Sequence, residues 1–150
     1  MTKYIEPSQG EIARLKIVNN SNLFLRLTTF EDGSTCKGWQ ELIPPKDQLE
    51  INNRDLKQMA SFSINIRANA EFSLQTHGYF AYVTKCEMLT TFYPQPNLTY
   101  EMHYSYNEGA CSLGVIKLVK TPDGTKAEPE KTLRQREIVA GITNSGSICK

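Results

Sequence analysis

The 150-residue chain predicts an all-β fold: an antiparallel β-sandwich of about seven or eight strands with an irregular C-terminal extension. Three observations carry that expectation. Several runs alternate apolar and polar residues with a period of two, the pattern of strands buried on one face. Clusters of Gly, Pro and Asn interrupt the chain at spacings of about 8 to 12 residues. No stretch shows the strand–helix alternation of a parallel α/β sheet.

The first run, "ARLKIVN", turns Ala13, Leu15 and Ile17 one way and Arg14 and Lys16 the other. Asn19 to Asn22 supply turn chemistry, and "LFLRLTTF" then places Leu23, Leu25 and Leu27 on one face. Together these read as a first hairpin or simply the first two strands, ended by "EDGS" with its permissive Gly33. The next segment, "TCKGWQELIPPKD", holds the only tryptophan and a Pro44–Pro45 pair, so a loop with one short strand around Trp39 to Ile43 is expected. "QLEI" reads as an edge strand and "NNRDLKQM" as a turn or short helical turn.

The clearest alternation follows, with Phe62, Ile64, Ile66 and Ala68 on one face, and Phe72 and Leu74 repeat it. "QTHGYFAY" reads as a loop. Beyond it, Cys86, Met88, Thr90 and Phe92 share a face, as do Tyr100, Met102, Tyr104 and Tyr106 on a returning strand. The intervening "YPQPN" cannot continue a ladder, because proline donates no amide hydrogen. "ACSLGVIKLV" is the last strong strand. Residues 12–119 thus form the sandwich core. Residues 120–150 form a charged extension, either a long hairpin excursion or a linker, with a return near "EIVAGIT" anchored by Cys149.

Seventeen basic residues against 16 acidic leave a net charge of +1, which argues against a dominant footprint for nucleic acid or anionic lipid. No run approaches the roughly 20 apolar residues of a membrane helix. The start, "MTKYIEPSQGE", has no hydrophobic leader core; if the cysteines are disulfide-bonded a removed leader is expected, the alternative being a cytosolic protein used as translated. Cys36, Cys86, Cys111 and Cys149 are even in number, widely spaced and without a CxxC pair, which points to two disulfides in an oxidising compartment. Four cysteines permit three pairings. If residues 85 to 106 form a hairpin turning near Pro96, Cys86 faces about Tyr106, and a bridge to Cys111 needs a bulge near "NEG".

Catalytic and ligand chemistry finds little support. There is no GxSxG elbow, and the two histidines are read as a surface residue, His103, and a loop residue, His77. Glu87 and Glu101, on the outward faces of adjacent predicted strands, lack the cleft that a glycosidase pair needs. Asp32 and Asp123 belong to turns, and "NNS" at Asn19 and "NLT" at Asn97 match the glycosylation triplet. No catalytic, metal or cofactor-binding residue is therefore expected, and no cofactor. The aromatic residues crowded between Tyr79 and Tyr106 are more suggestive. Half face the core; Tyr79, Tyr82 and Tyr93, with Trp39, are the candidates for contact with a partner.

Arg14, the Asp32–Cys36 loop, and Cys86, Phe92, Pro94, Tyr100 and Cys111 form an ordered pattern across residues 12–119. This pattern resembles that of small secreted or lipid-anchored β-sandwich proteins of Gram-negative bacteria. The resemblance implies an immunoglobulin-like or transthyretin-like sandwich, periplasmic, outer-membrane-associated or secreted, with any lipid anchor lying upstream. It carries no active site. The expected role is a non-catalytic protein-binding domain, an accessory or lipoprotein subunit of an envelope assembly. The alternatives are an inhibitor or immunity protein against a secreted toxin or lysozyme, and a glycan-binding module.

Overall fold

The computed structural model describes residues 2–50, 54–139 and 149–150. Eleven strands appear in them: β1 (Thr2–Lys3), β2 (Ile12–Asn19), β3 (Phe24–Asp32), β4 (Lys37–Leu42), β5 (Ser61–Arg67), β6 (Phe72–Phe80), β7 (Val83–Phe92), β8 (Thr99–Asn107), β9 (Ala110–Thr121), β10 (Gly124–Pro129) and β11 (Arg134–Gln135). They form two sheets that pack as a sandwich. One has the order β1-β4-β3-β6-β7-β11, the other β10-β9-β8-β2-β5.

Period-two patterning explains the packing. Ala13, Leu15 and Ile17 of β2, Leu25 and Leu27 of β3, and Phe62, Ile64 and Ile66 of β5 are buried, and each Leu, Ile or Phe so buried contributes about 1.5–3 kcal/mol. Tyr100, Met102 and Tyr104 of β8 project from the second sheet into the same core as Phe72, Leu74 and Phe92 of the first. Phe92 and Tyr100 touch with ring centroids 5.1 Å apart. A smaller cluster of Phe30, Cys36, Leu89 and Cys149 gathers where the end of the chain comes down beside β3 and β7.

The predicted sandwich is present, with more strands than expected and with mixed sheets. Two of the pairings, β1 with β4 and β2 with β8, are parallel. The parallel β2–β8 pairing corrects two local expectations. Residues 13–30 are two successive strands, as one of the two readings has it, and not a hairpin, because β2 and β3 lie in different sheets. The chain crosses between them through a corner built on Asn19, which is wholly buried. Its amide donates to the carbonyls of Leu23 (2.8 Å) and Lys57 (3.1 Å), and its side-chain oxygen accepts from the Ser21 amide (3.1 Å) and hydroxyl (2.6 Å). A buried amide with its hydrogen bonds filled lets an arch replace a turn.

Likewise β7 and β8 do not pair. The "YPQPN" segment carries the chain from one sheet to the other, held by the Asn97 amide on the Ile12 carbonyl (2.9 Å) and the Gln95 amide on the Tyr100 hydroxyl (2.8 Å). Glu87 and Glu101 are therefore on different sheets, and "QTHGYF" is strand, not loop. The expected facing of Cys86 and Tyr106 is absent, because β7 pairs with β6 and not with β8: Cys86 faces Gly78, and Tyr106 faces Cys111. The Cys86–Cys111 disulfide forms between the sheets, across a Cα–Cα distance of 6.3 Å, so no bulge at "NEG" is needed. The bulge that does occur lies between Gly78 and Tyr79.

Cys149 joins Cys36, linking the chain's end to the β3–β4 turn over 113 residues. Past residue 119 the chain continues β9 into a hairpin with β10 and then adds β11 to the edge of β7. Arg136 holds the segment with bonds to the Ser34 carbonyl (2.8 Å), the Thr91 hydroxyl (3.1 Å) and the Lys150 carbonyl (2.9 Å). The return expected at "EIVAGIT" and the Ile51 end of "QLEI" fall largely outside the described residues. Among the described residues no helix is long and apolar enough to cross a membrane. Two disulfides fit an extracellular or secreted protein.

Close packing fixes one glycine. A Cβ at residue 78 would lie 2.5 Å from the Tyr104 hydroxyl and 2.9 Å from a Leu23 methyl. Gly78→Ala is expected to cost about 1–3 kcal/mol in urea denaturation. Gly114→Ala, with open space around it, is expected to be neutral or mildly stabilising. Removing Cys36 and Cys149 together is expected to cost more stability than removing Cys86 and Cys111, because the closed loops span 113 and 25 residues. Equal losses in matched double-serine variants would refute this chain-entropy account.

Candidate functional site

One end of the sandwich carries two hairpin tips. The first joins β6 to β7 through Ala81 and Tyr82, with Phe80 and Val83 as the closing pair. Both loop residues have positive φ, 52° and 65°. A two-residue hairpin loop of that hand normally carries Asn-Gly, since a Cβ in this region costs about 1–2 kcal/mol per residue. Here the sequence places an alanine and a tyrosine in it.

The side chains at this tip face water. Tyr82 is 100% exposed, Val83 54% and Phe80 48%. Phe80 stacks on Phe24 of β3 with planes 7° apart and centroids at 6.5 Å, and Phe24 also meets the Tyr79 ring at 5.9 Å. An aromatic step therefore leads from the sheet face to the fully open Tyr82.

A polar network supports the step. The Tyr79 hydroxyl donates to Asp55 and lies 3.3 Å from a Glu50 oxygen. Asp55 is completely buried and accepts from Arg26 Nε at 3.0 Å, so its charge is paired. His77 bonds Glu87 through Nδ1 (2.6 Å) and Thr84 through Nε2 (2.9 Å). Arg26, His77, Tyr79, Tyr82 and Thr84 line a shallow cavity of about 270 Å³. Thr84, His77 and Glu87 have the bonding order of a nucleophile, a base and an orienting acid. They lie on an open face, where water screens the pair and weakens such activation. Their structural effect is to hold the foot of the tip in one arrangement.

The second tip joins β8 to β9 through Glu108 (φ 51°) and Gly109 (φ 82°), closed by Asn107 and Ala110. Cys86 lies three residues beyond Val83 and Cys111 directly follows Ala110, so the inter-sheet disulfide ties the two tips together near their bases. A cross-linked pair of tight hairpins presents its exposed side chains with little freedom left to lose on binding.

Of the residues singled out from sequence, Tyr79 and Tyr82 meet here. Trp39 does not. It is half-buried on β4, opposite Phe30, and packs against the cluster that holds the Cys36–Cys149 disulfide. Tyr93 follows the far end of β7, roughly 30 Å away along the strand, with its amide bonded to Thr132. His103 is half-buried between Glu101 (3.0 Å) and Asn20 (3.0 Å). Phe80 belongs to the aromatic run noted from the sequence; Phe24 and Val83 were not foreseen. The available signal was "FAYV" itself, an apolar quartet where a strand must reverse. Without Asn or Gly to mark the turn, it read as loop.

Among the described residues no group of three or more His, Cys, Asp or Glu side chains could hold a metal ion. The double variant Ala81→Asn, Tyr82→Gly is expected to raise stability by about 1–2 kcal/mol, because it relieves both positive-φ positions. A lower unfolding midpoint for this variant would show that the tip carries no such cost. Compared with known families, characterised proteins and solved structures, the chain matches none.

Proposed function

We propose that the chain is a non-catalytic protein-binding domain of the bacterial envelope, periplasmic or cell-surface, that serves as an accessory subunit of a larger assembly and docks through the β6–β7 tip. One observation carries the reading: Tyr82 is held wholly in solvent at a backbone position that disfavours it. A sequence selected only for folding would place Asn-Gly there, so the stability lost at the tip is most simply offset by binding. Exposed aromatic side chains on a pre-formed scaffold are typical anchors of protein interfaces.

The tip is convex, which also favours the inhibitor or immunity reading, in which it would enter the cleft of a toxin or lysozyme. A glycan platform receives less support, because the Tyr79 hydroxyl is committed to Asp55 and Glu50.

A photo-crosslinking residue at position 82, used with envelope extract, tests the proposal. One protein partner is expected, with Tyr82→Ala weakening its binding about 30-fold, a loss of about 2 kcal/mol. The melting temperature should be unchanged or higher. A hydrolytic enzyme as the captured protein would favour the inhibitor role. Failure to capture any partner, or binding that Tyr82→Ala leaves intact, would overturn the assignment of the site.

A further inference from the structure

The β6–β7 tip has a counterpart on a different segment of the chain. Met59, in the turn that leads into β5, is 72% exposed and sits at a positive φ of 55°. Tyr82 is wholly exposed at a φ of 65°. Among the described residues, these two alone combine a large apolar side chain in open solvent with a left-handed backbone, where any Cβ is strained. The same disfavoured arrangement therefore occurs twice, on segments far apart in sequence.

Both lie at one end of the sandwich. The Asn19 amide, at the end of β2, donates to the Ala60 carbonyl at 2.9 Å, and the Gln58 side chain donates to the Asn22 carbonyl. Asn22 stands two residues before Phe24, whose ring stacks on Phe80 at the foot of the tip. That path limits the Met59–Phe24 separation to roughly 20 Å. A standard interface takes about 800 Å² of each partner, a patch about 30 Å across, so one interface can cover both anchors. The turn is fixed as well, because the Lys57 carbonyl accepts from the buried Asn19 side chain at 3.1 Å. Of the six large apolar side chains left exposed among the described residues, Met59, Phe80, Tyr82 and Val83 gather here, and Ile5 and Tyr93 lie elsewhere.

The charges around this surface narrow the kind of partner. Lys57 flanks Met59, and Lys85 stands below the tip; both are exposed, and neither forms an ion pair or a side-chain hydrogen bond among the described residues. Glu108 on the second tip is brought towards Lys85 by the disulfide that ties the two hairpins, which leaves Lys57 as the cation whose charge is most open to a partner. Two lysines are too few to hold an anionic bilayer, which takes clusters of about four to eight basic residues.

We infer that Met59 and Lys57 form a second contact on the same docking surface, and that the partner is a protein whose apolar groove spans both anchors and carries a carboxylate opposite Lys57. The inference rests on the reading of the β6–β7 tip as a protein-binding site. Tyr82 supplies a rigid ring, and the unbranched thioether of Met59 adapts to the wall it meets.

Photo-crosslinking residues placed at position 59 and, in a separate chain, at position 82 test this in envelope extract. Position 5 is the control, since Ile5 is 81% exposed but belongs to the N-terminal strap, where the Tyr4 amide bonds the Glu41 carbonyl. One and the same protein is expected from 59 and 82, and not from 5. With that protein purified, Met59→Gly should weaken binding about tenfold and raise the melting temperature, because glycine accepts a positive φ. A Met59 that served only the fold would show the opposite change in stability. Lys57→Glu should weaken binding by a similar factor at low salt, and by less as salt screens the pair. Capture from 82 alone, different proteins from the two positions, or wild-type affinity in Met59→Gly or Lys57→Glu would overturn the inference and leave the tip assignment standing. Capture from neither position would overturn both. Flotation of the chain with phosphatidylglycerol vesicles, abolished by Met59→Gly, would assign the surface to a bilayer and overturn the protein groove.

Discussion

The packing of β8 against β6 and β7 organises this molecule. Tyr100, Met102 and Tyr104 must be buried, and the nearest apolar surface large enough to receive them is the inner face of the other sheet. Tyr104 makes the fit specific: its hydroxyl occupies the space a side chain at residue 78 would need. Burial pushes that phenol up to about 12, so it stays neutral where an anion could not be solvated. Once β8 faces β6, it cannot also pair with β7, and the chain must cross between the sheets at "YPQPN".

That crossing determines where the cysteines meet. Cys86 points inward from β7 and Cys111 lies on β9, beside β8, so the bridge spans the core instead of a hairpin. By joining the bases of two tight turns it converts core packing into rigidity at the surface. The link from burial to proposed function runs through this bond: packing sets the crossover, the crossover sets the cross-link, and the cross-link holds Phe80, Tyr82 and Val83 in place.

The two ends of the sandwich are built differently because different parts of the chain close them. At the tip end the strands turn back on themselves and leave aromatic side chains outside. At the other end the N-terminal strap, the Asp32 turn and the Cys36–Cys149 bridge fold over the sheets. Asp32 accepts from Ser34 and Thr35, bonds that hold its carboxyl below the usual range and stabilise the turn that positions Cys36. The sheet edges are also managed. The outward amide and carbonyl of Asn65 on β5 are bonded to Glu6 and Tyr4, and β10 at the other edge carries Lys126, Glu128 and Pro129, residues that discourage further strands from adding.

The class of fold was legible in the chain alone, because alternation at period two records which face of each strand avoids water, and that does not depend on the neighbour it meets. Leu15, Ile64, Leu25 and Tyr100 were assignable to the core for this reason, and four spaced cysteines were readable as two bridges. Which strands would be neighbours was not legible. Asn19 looks like a turn residue, yet its buried amide builds an arch; "YPQPN" looks like a hairpin turn, yet it changes sheets. Both choices depend on hydrogen bonds to residues distant in sequence, such as Lys57 and Ile12. For the same reason Tyr82 could be named from composition only as a candidate for contact, while its position at a strained, cross-linked tip belongs to the tertiary structure. Local pattern encodes burial, and only the assembled sheets determine pairing, because pairing is a competition among partners that the linear order does not rank.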